Sequence, residues 1–388
     1  MLTSGINFIN FKNKKKLPRV KHKFNLIIKE KDKDQVINSL GKNYKHQYNK
    51  KELKKFKKSL NYRVIGMGGS ILGTQAIYDF LKKKIKKNFF FIDNLSDNKN
   101  DNKNKKKNFT NLIVSKSGNT IETIVNSNIL INKKDKNIFI TENKKSYLYI
   151  LAEKLKADII HHNNYIGGRY SVLSEVGMLP AELMGLNVSK FKQLNALIKN
   201  KNFINSLLNN VNSSLYFIKK KKFNSVIINY DEKSQNLFKW YQQLIAESLG
   251  KKKKGLLPIV SNMPKDNHSV MQLYLDGFQN NFFTFFYSHE AKSKKINNNS
   301  ILESENYLKN KDLSKIIYAQ KKASENVFKK KNIPFRSFEI KKRDEKTLGE
   351  LFCFFILETI LIGKSLNLNP FDQPAVELIK NETKKLLI

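Results

Sequence analysis

A carboxylate near the end of a predicted helix is the first candidate for chemistry. The stretch WYQQLIAESLGK, residues 240–251, continues a run with apolar residues at three- and four-residue spacing, and Gly250 stands where a helix would stop. Glu247 falls in the last turn, one turn after Gln243, where the helix dipole disfavours a negative charge. Glu247 is therefore either a solvated surface carboxylate or a group placed there to move a proton.

Two polar loops that follow predicted strands could bind an anion. IGMGGSILG places Ser70 in a Gly-rich turn that runs into a helix, and VSKSGNTIET presents the hydroxyls of Ser115, Ser117 and Thr120 at a helix start. Backbone N–H groups at a helix N-terminus suit a phosphate. In the second loop, a helix cap formed by Ser117 or Asn119 is the structural alternative, and both interpretations can hold at once.

The Gly-rich turn also permits a dinucleotide-binding hypothesis. Three glycines precede Ser70, but Gly73 falls too late for the G-x-G-x-x-G spacing. Asp93, after the next predicted strand, is a weak candidate for the ribose partner. The spacing therefore favours a phosphate site over a dinucleotide site.

Arg169 and His268 are two further candidates for a site. Arg169 follows two glycines in NNYIGGRYS, where its permanent charge can approach a ligand oxyanion, or alternatively bridge two carboxylates. His268 begins a predicted helix after a strand, 21 residues beyond Glu247. We expect Glu247 and His268 to lie at the same edge of a sheet, at the carboxyl ends of its strands, although a structural histidine at a helix start is the alternative.

Alternating strands and helices must position these residues. From residue 61, apolar strands are followed by polar loops and amphipathic helices, and the pattern starts again at FNSVIINY. This alternation predicts an α/β protein with parallel sheets covered by helices on both faces. We predict an N-terminal extension over 1–60, a first domain over 61–200 and a second domain over 201–388 that includes C-terminal helices.

The composition restricts the partners. The 388 residues carry 73 Lys and Arg against 33 Asp and Glu, a formal net charge of +40, which could indicate nucleic-acid binding. The lysines are spread over the whole chain with many asparagines, and form no stripe with interleaved aromatic residues. We therefore expect no nucleic-acid partner, although the positive field would attract a small anionic substrate.

The sequence also predicts a cytoplasmic protein with no membrane partner. Cys353 is the only cysteine, which fits a reducing compartment. The most apolar segment, LFCFFILETILIG, is interrupted by Glu358 and is too short to span a bilayer. The first residues lack the apolar region of a signal peptide.

Five ordered segments within residues 60–388 resemble the phosphoglucose isomerase family of double-domain sugar isomerases. They are GMGGS, SKSGNTIET, GGRYS, QQLIAESLGK and FDQPAVELIK. The resemblance implies two flavodoxin-like α/β/α sandwich domains. It also implies interconversion of glucose 6-phosphate and fructose 6-phosphate through a cis-enediol, in glycolysis and gluconeogenesis, without a metal or organic cofactor. A homodimer is implied as well, in which His268 comes from the neighbouring subunit.

The resemblance further implies a role for each site residue. Glu247 would carry a proton between C2 and C1, Arg169 would stabilise the enediolate, and His268 with Lys380 would open the sugar ring. Glu122 would orient the histidine. The substrate-binding residues would be Ser70, Ser115, Lys116, Ser117, Thr120, Gln243 and Gln373.

Several positions depart from the family pattern. Glu175 stands where a small residue is usual after GGRYS, SGNT replaces an aromatic-containing loop, Ser365 replaces an aliphatic residue, and Ala375 is often Gly. Residues 1–60 match poorly, so we assign them no function.

The alternatives to a phosphoglucose isomerase are a dual phosphoglucose/phosphomannose isomerase and a non-catalytic sugar-phosphate-binding regulator.

Overall fold

Two sheets with helices packed around them form the framework of the protein in the computed structural model. The structure describes residues 1–12, 18–96, 108–131 and 133–388, so the low-complexity loop DNKNDNKNKKKN falls outside it except for its last residue. The strands are β1 (Ile6–Ile9), β2 (Asn61–Gly66), β3 (Asn88–Ile92), β4 (Thr110–Val114), β5 (Lys136–Thr141), β6 (Asp158–His161), β7 (Asn224–Asn229), β8 (Leu257–Asn262), β9 (Asn281–Ser288) and β10 (Phe335–Ile340).

The helices connect these strands and cover the sheets, and short 3-10 turns precede several of them. The helices are α1 (Pro18–Lys29), α2 (Gln35–Ser39), α3 (Lys54–Lys57), α4 (Leu72–Phe80), α5 (Ile121–Leu130), α6 (Tyr147–Leu155), α7 (Glu175–Leu183), α8 (Leu194–Leu197), α9 (Lys201–Lys219), α10 (Gln235–Leu249), α11 (Met271–Asp276), α12 (Leu313–Lys330), α13 (Glu345–Ser365) and α14 (Val376–Leu386). Three of the 3-10 turns concern the site: Gly68–Ser70, Gly168–Leu173 and Lys265–His268.

The first sheet is wholly parallel, with the strand order β3-β2-β4-β5-β6. The chain starts in the second position, moves outward once and then reverses, which is the flavodoxin-like winding. Ligands of such sheets bind outside the carboxyl ends of the strands at the reversal point, here between β2 and β4. The predicted α/β class with parallel sheets is therefore confirmed, and the fold itself indicates where a ligand belongs.

The second sheet repeats this winding with the order β1-β10-β9-β7-β8. Strands β7 to β10 are parallel to one another, and the order of the connections reverses between β7 and β9. Strand β1 pairs antiparallel with β10 at the edge of the sheet. Sequence analysis missed β1 because a four-residue strand in a Lys-rich segment has no periodicity to detect. The N-terminal residues thus complete the second sheet, and the predicted domain boundary near residue 200 stays a prediction.

Helices α4 and α10 pack antiparallel to each other. They join the first half of the chain, which forms the first sheet, to the second half, which forms most of the second sheet. At one end, the Asn236 amide donates to Asp79 at 2.6 Å. At the other end, a Cβ on Gly68 would lie 2.8 Å from Nε2 of Gln243. The C-terminal end of α10 therefore reaches the carboxyl edge of the first sheet, although α10 belongs in sequence to the second half.

Ion pairs fill the reversal point of the second sheet, between the ends of β7 and β9. Glu290 accepts from Lys83 of the first half and, at 2.8 Å, from Lys233. The Arg343 guanidinium lies 2.7 Å from Asp231 and 3.3 Å from Glu290. This cluster, which we call the charged plug, occupies in the second sheet the position where the first sheet is expected to bind a ligand.

Helix α13 is buried along almost its whole length and carries a charged group into the core. Glu358, 1% exposed, pairs with Arg336, which also donates to Asn210 at 2.7 Å and to Tyr241 at 3.2 Å. Burial, and then the charge of Glu358, raises the pKa of Tyr241. None of the helices in the described part of the chain is long and apolar enough to cross a bilayer.

The Glu358–Arg336 pair gives a prediction about stability. Glu358→Ala leaves the Arg336 charge buried without its counter-ion, so we expect the free energy of unfolding to fall by about 3–5 kcal/mol. The control is Glu382→Ala, which removes an exposed pair with Lys385 and should cost about 1 kcal/mol or less. Urea denaturation of both variants measures the difference, and equal losses would show that the buried network does not stabilise the second half.

Candidate active site

Arg169 lies in the 3-10 turn after β6 and is 1% exposed. A guanidinium has five N–H groups, and here every one of them has an acceptor. The acceptors and distances are Ser248 Oγ at 2.7 Å, Glu247 Oε2 at 3.2 Å, Gln373 Oε1 at 2.6 Å, the Pro370 carbonyl at 2.7 Å and the Asp372 carbonyl at 3.0 Å. Arg169 thus joins the first sheet, α10 and the C-terminal loop at one point.

Glu247 lies in the last turn of α10 with its side chain 30% exposed. Its Oε2 accepts from Arg169, and its Oε1 accepts from Nε2 of Gln243 at 2.9 Å. The charge of Arg169 offsets the unfavourable end of the helix dipole, which explains why a carboxylate is tolerated there. An oriented carboxylate with one accessible edge can take a proton from a bound molecule and return it.

The Gly-rich turn after β2 is packed against the Arg169 turn. A Cβ on Gly69 would lie 2.2 Å from the carbonyl carbon of Gly168, a distance that no side chain can adopt. Gly68 has φ +51°, in the left-handed region that favours glycine. The glycines therefore serve the close approach of two backbones, and they bring the partly buried Ser70 next to the Arg169 turn.

Residues 115–120, which we call the hydroxyl loop, connect β4 to α5 at the reversal point of the first sheet. Ser115 is 1% exposed, its Oγ is 2.9 Å from Oγ1 of Thr120, and it accepts from the Gly118 N–H at 3.2 Å. Thr120 is the N-cap of α5 and its side chain makes no capping hydrogen bond. The capping interpretation for Ser117 or Asn119 is therefore wrong, and the first N–H groups of α5 have no side-chain acceptor from the cap.

Lys116 of this loop has partners of its own. Its Nζ donates to the Asn164 carbonyl at 2.8 Å and lies 3.4 Å from Glu142. Ser117 accepts from the N–H of Asn119 at 3.3 Å and is exposed. The loop is thus tied to the segment that precedes Arg169.

Glu247 lies near the amino end of β8 and His268 follows its carboxyl end. The expectation that both lie at the carboxyl ends of the strands of one sheet is therefore wrong. The reason is that α10 returns antiparallel to β7, so that Glu247 precedes β8 while His268 follows it. Gln242, five residues before Glu247, already contacts the carbonyl of Pro258 at the start of β8. The six residues of β8 separate its two ends by about 17 Å.

Two other predicted residues lie apart from the Arg169–Glu247 pair. Lys380 is exposed on α14 and pairs with Glu377 at 2.6 Å, and Glu122 is partly buried in the first turn of α5. Among the described residues, no hydrogen bond or ion pair connects Lys380, Glu122 or His268 to Arg169 or Glu247. The structure therefore brings together Arg169, Glu247, Gln243 and Gln373.

Sequence analysis missed two residues that hold Arg169. Ser248 Oγ accepts from Nε of Arg169, and the indole N–H of Trp240 donates to the carbonyl of Arg169 at 3.0 Å. Both lie in the stretch that carries Glu247, at positions that apolar spacing assigns to the core. A serine among buried helix positions is the one signal that could have identified Ser248.

Solved structures share this fold over nearly the whole chain. A hypothetical protein from Thermus thermophilus is similar with a TM-score of 0.82, 21% identity and 95% coverage of both chains. A glucose-6-phosphate isomerase from Chlamydia trachomatis is similar with a TM-score of 0.77 and 17% identity, covering 99% of this chain and 89% of that one. The fold is thus that of the double-domain sugar isomerases.

Sequence comparison gives the family. The phosphoglucose isomerase family model matches residues 42–387, and the chain belongs to this family. A glucose-6-phosphate isomerase from Methanocaldococcus jannaschii is 35% identical over 84% of this chain and 83% of its own length. Another from Mycoplasmopsis pulmonis is 31% identical over 84% of this chain and 82% of its own length.

The hydroxyl loop gives a binding prediction. The double variant Ser115→Ala, Thr120→Ala should weaken the binding of inorganic phosphate at least about tenfold, because a hydrogen bond to a charged group contributes ~1.5–3 kcal/mol. The control variant Ser189→Ala, Thr383→Ala removes two hydroxyls outside this loop and should leave the affinity unchanged. Titration calorimetry at ~0.15 M salt, where exposed lysines are screened beyond about 8 Å, measures both. Equal affinity in the two variants would place the phosphate elsewhere.

Proposed function

We propose that this protein is a glucose-6-phosphate isomerase that interconverts glucose 6-phosphate and fructose 6-phosphate through a cis-enediol, in glycolysis and gluconeogenesis. The observation that carries the proposal is the Glu247 carboxylate, oriented by Arg169 and Gln243 and brought to the carboxyl edge of the first sheet. Membership of the phosphoglucose isomerase family supports the same reaction.

Glu247 is the base in this proposal, and Arg169 stabilises the charge that develops. Moving a proton between C2 and C1 needs one carboxylate within reach of both carbons. The enediolate formed on the way carries negative charge on oxygen, which Nη1 of Arg169 can meet because it already lies 3.2 Å from the base. Substrate would displace the contact of Nη1 with Gln373, which frees the Gln373 amide for a sugar hydroxyl.

The phosphate would lie at the reversal point between β2 and β4. Ser70, Ser115, Ser117 and Thr120 offer hydroxyls there, and the start of α5 offers backbone N–H groups. Lys116 adds a positive charge beside them, and the net charge of +40 attracts the dianion from a distance. Gln243 would hold a sugar hydroxyl next to the base.

The remaining roles are ring opening and the orientation of the histidine. We propose a homodimer in which His268 of one subunit reaches the site of the other, and opens the sugar ring together with Lys380 while Glu122 orients the imidazole. The separation of His268 and Glu247 along β8 supports this assignment, because the histidine follows the strand whereas the carboxylate precedes it.

The proposed chemistry is redox-neutral over the whole molecule. The aldehyde at C1 is reduced while the alcohol at C2 is oxidised, so the proposal needs no external hydride carrier. It assigns the developing negative charge to Arg169 rather than to a metal ion. We place the enzyme in the cytoplasm, which agrees with a single cysteine, Cys353, that is buried and unpaired.

The activity and its base are tested together. Purified protein should convert fructose 6-phosphate to glucose 6-phosphate in a coupled assay, and Glu247→Gln should lower turnover at least ~10³-fold because an amide cannot accept the proton. Glu232→Gln, an exposed carboxylate in the turn before the same helix, should have wild-type turnover. Comparable turnover of mannose 6-phosphate would indicate a dual isomerase, and an inactive wild-type protein would indicate a non-catalytic regulator.

Subunit mixing tests the origin of His268. His268→Ala and Glu247→Gln are each expected to be inactive. If the histidine acts across the interface, half of a statistical mixture is heterodimer and each heterodimer has one intact site, so about a quarter of wild-type activity should return. No recovery after subunit exchange, verified by mass spectrometry of tagged subunits, would show that both groups act within one subunit.

A further inference from the structure

We infer that residues 34–48, to which sequence analysis assigns no function, form a brace that positions Arg169 for the reaction, with Glu175 and Tyr44 as positioning residues. The inference rests on the proposed function for its effect on turnover. It rests on three groups of contacts between this N-terminal segment and residues 163–175, which carry Arg169 in their middle.

The first contact is made by Glu175, which begins α7 two residues after the Arg169 turn ends. Glu175 is 0% exposed, and a buried carboxylate is costly unless hydrogen-bond donors surround it. Tyr44 Oη donates to its two oxygens at 2.9 and 3.1 Å, and the N–H of Gln47 donates at 3.1 Å. The position that departs from the family pattern is therefore the position that the N-terminal segment holds.

The second contact is made by Lys192, which is 4% exposed. Its Nζ donates to the carbonyl of Ser39 at 2.6 Å and to the carbonyl of Leu173, the last residue of the Arg169 turn. It also lies 4.7 Å from the ring centroid of Tyr44. Burial lowers the pKa of Lys192 to about 7, while the charge of Glu175 opposes this shift. Lys192 therefore joins the brace to the end of the turn.

The third contact lies ahead of the turn. The Asn163 amide donates to Oε1 of Gln35 at 3.2 Å, while the neighbouring Asn164 carbonyl accepts from Lys116 of the hydroxyl loop. The segment that carries Arg169 is thus held by the brace at both ends, at Asn163 and at Glu175. Its guanidinium is held separately, by α10 and the C-terminal loop.

This arrangement predicts a specific kinetic effect. Without the brace the turn can shift, and a displacement of about 1 Å between Arg169 and Glu247 is enough to reduce turnover by up to about a hundredfold. The hydroxyl loop is tied to this segment at Asn164, whereas Glu175 holds its opposite end, so loss of the Glu175 contacts should leave phosphate binding intact. We therefore expect a fall in kcat with little change in KM, because the affected charge exists only along the reaction path.

A matched pair of buried carboxylates tests the inference. Glu175→Ala should lower kcat by about tenfold or more, with KM and the inhibition constant of inorganic phosphate within about threefold of wild type. Glu175→Gln keeps an acceptor for Tyr44 and Gln47 and should restore most of the turnover. The control is Glu350→Ala in α13, which removes a carboxylate that is 2% exposed and accepts from Thr3 at 2.7 Å, away from Arg169. It should lose stability but keep kcat.

A second variant and a second measurement keep the test independent of folding and of activity. Tyr44→Phe removes one donor and should reproduce the kcat effect if Glu175→Ala does not fold. Amide hydrogen exchange of residues 168–173 should be faster in Glu175→Ala or Tyr44→Phe but not in Glu350→Ala, whether or not the wild type isomerises glucose 6-phosphate. Unchanged kcat and exchange in both brace variants, or an equal fall of kcat in Glu350→Ala, would overturn the inference.

Discussion

The buried charge of Arg169 is the constraint on which the rest of the site depends. A guanidinium withdrawn from water must find acceptors for all its N–H groups, and no single loop can supply them. Here they come from α10 and from the loop around Pro370 and Gln373, which are far from Arg169 in sequence. The site can therefore form only when both halves of the chain and the C-terminal loop have met.

The winding of the sheets explains how that meeting is arranged. A ligand crevice is expected at the reversal point between β2 and β4, and the antiparallel packing of α4 against α10 brings Glu247 to this end of the first sheet. A carboxylate at a helix C-terminus is unfavourable alone, but Arg169 offsets the dipole there. The second half thus contributes the Glu247 carboxylate, while the first half contributes the Arg169 guanidinium and the hydroxyls. Neither half contains the chemistry by itself.

Much of the fold and of the candidate site could be predicted from the sequence. The features that could not be predicted have one physical cause in common. Apolar strands between Gly-rich and polar loops indicated the α/β class. Ordered motifs singled out Arg169 and Glu247, whose side chains the structure places 3.2 Å apart. Periodicity describes local structure only. It could not show that β1 would pair with β10, that Glu175 would accept from Tyr44, or that α10 would run so as to separate His268 from Glu247. Each of these features depends on contacts between segments that are far apart in the sequence, and local patterns do not show which segments will meet.

The charged plug has a consequence for the symmetry of the molecule. The two sheets have the same winding, so the rule that places a ligand in the first sheet would also place one between β7 and β9. Glu290, Lys233 and Arg343 occupy that position with mutual ion pairs, and Lys83 ties them to the first half. In the second sheet, the position that this winding would offer to a ligand therefore holds an internal contact between the two halves of the chain. The same winding, which is expected to serve recognition in the first sheet, serves cohesion in the second.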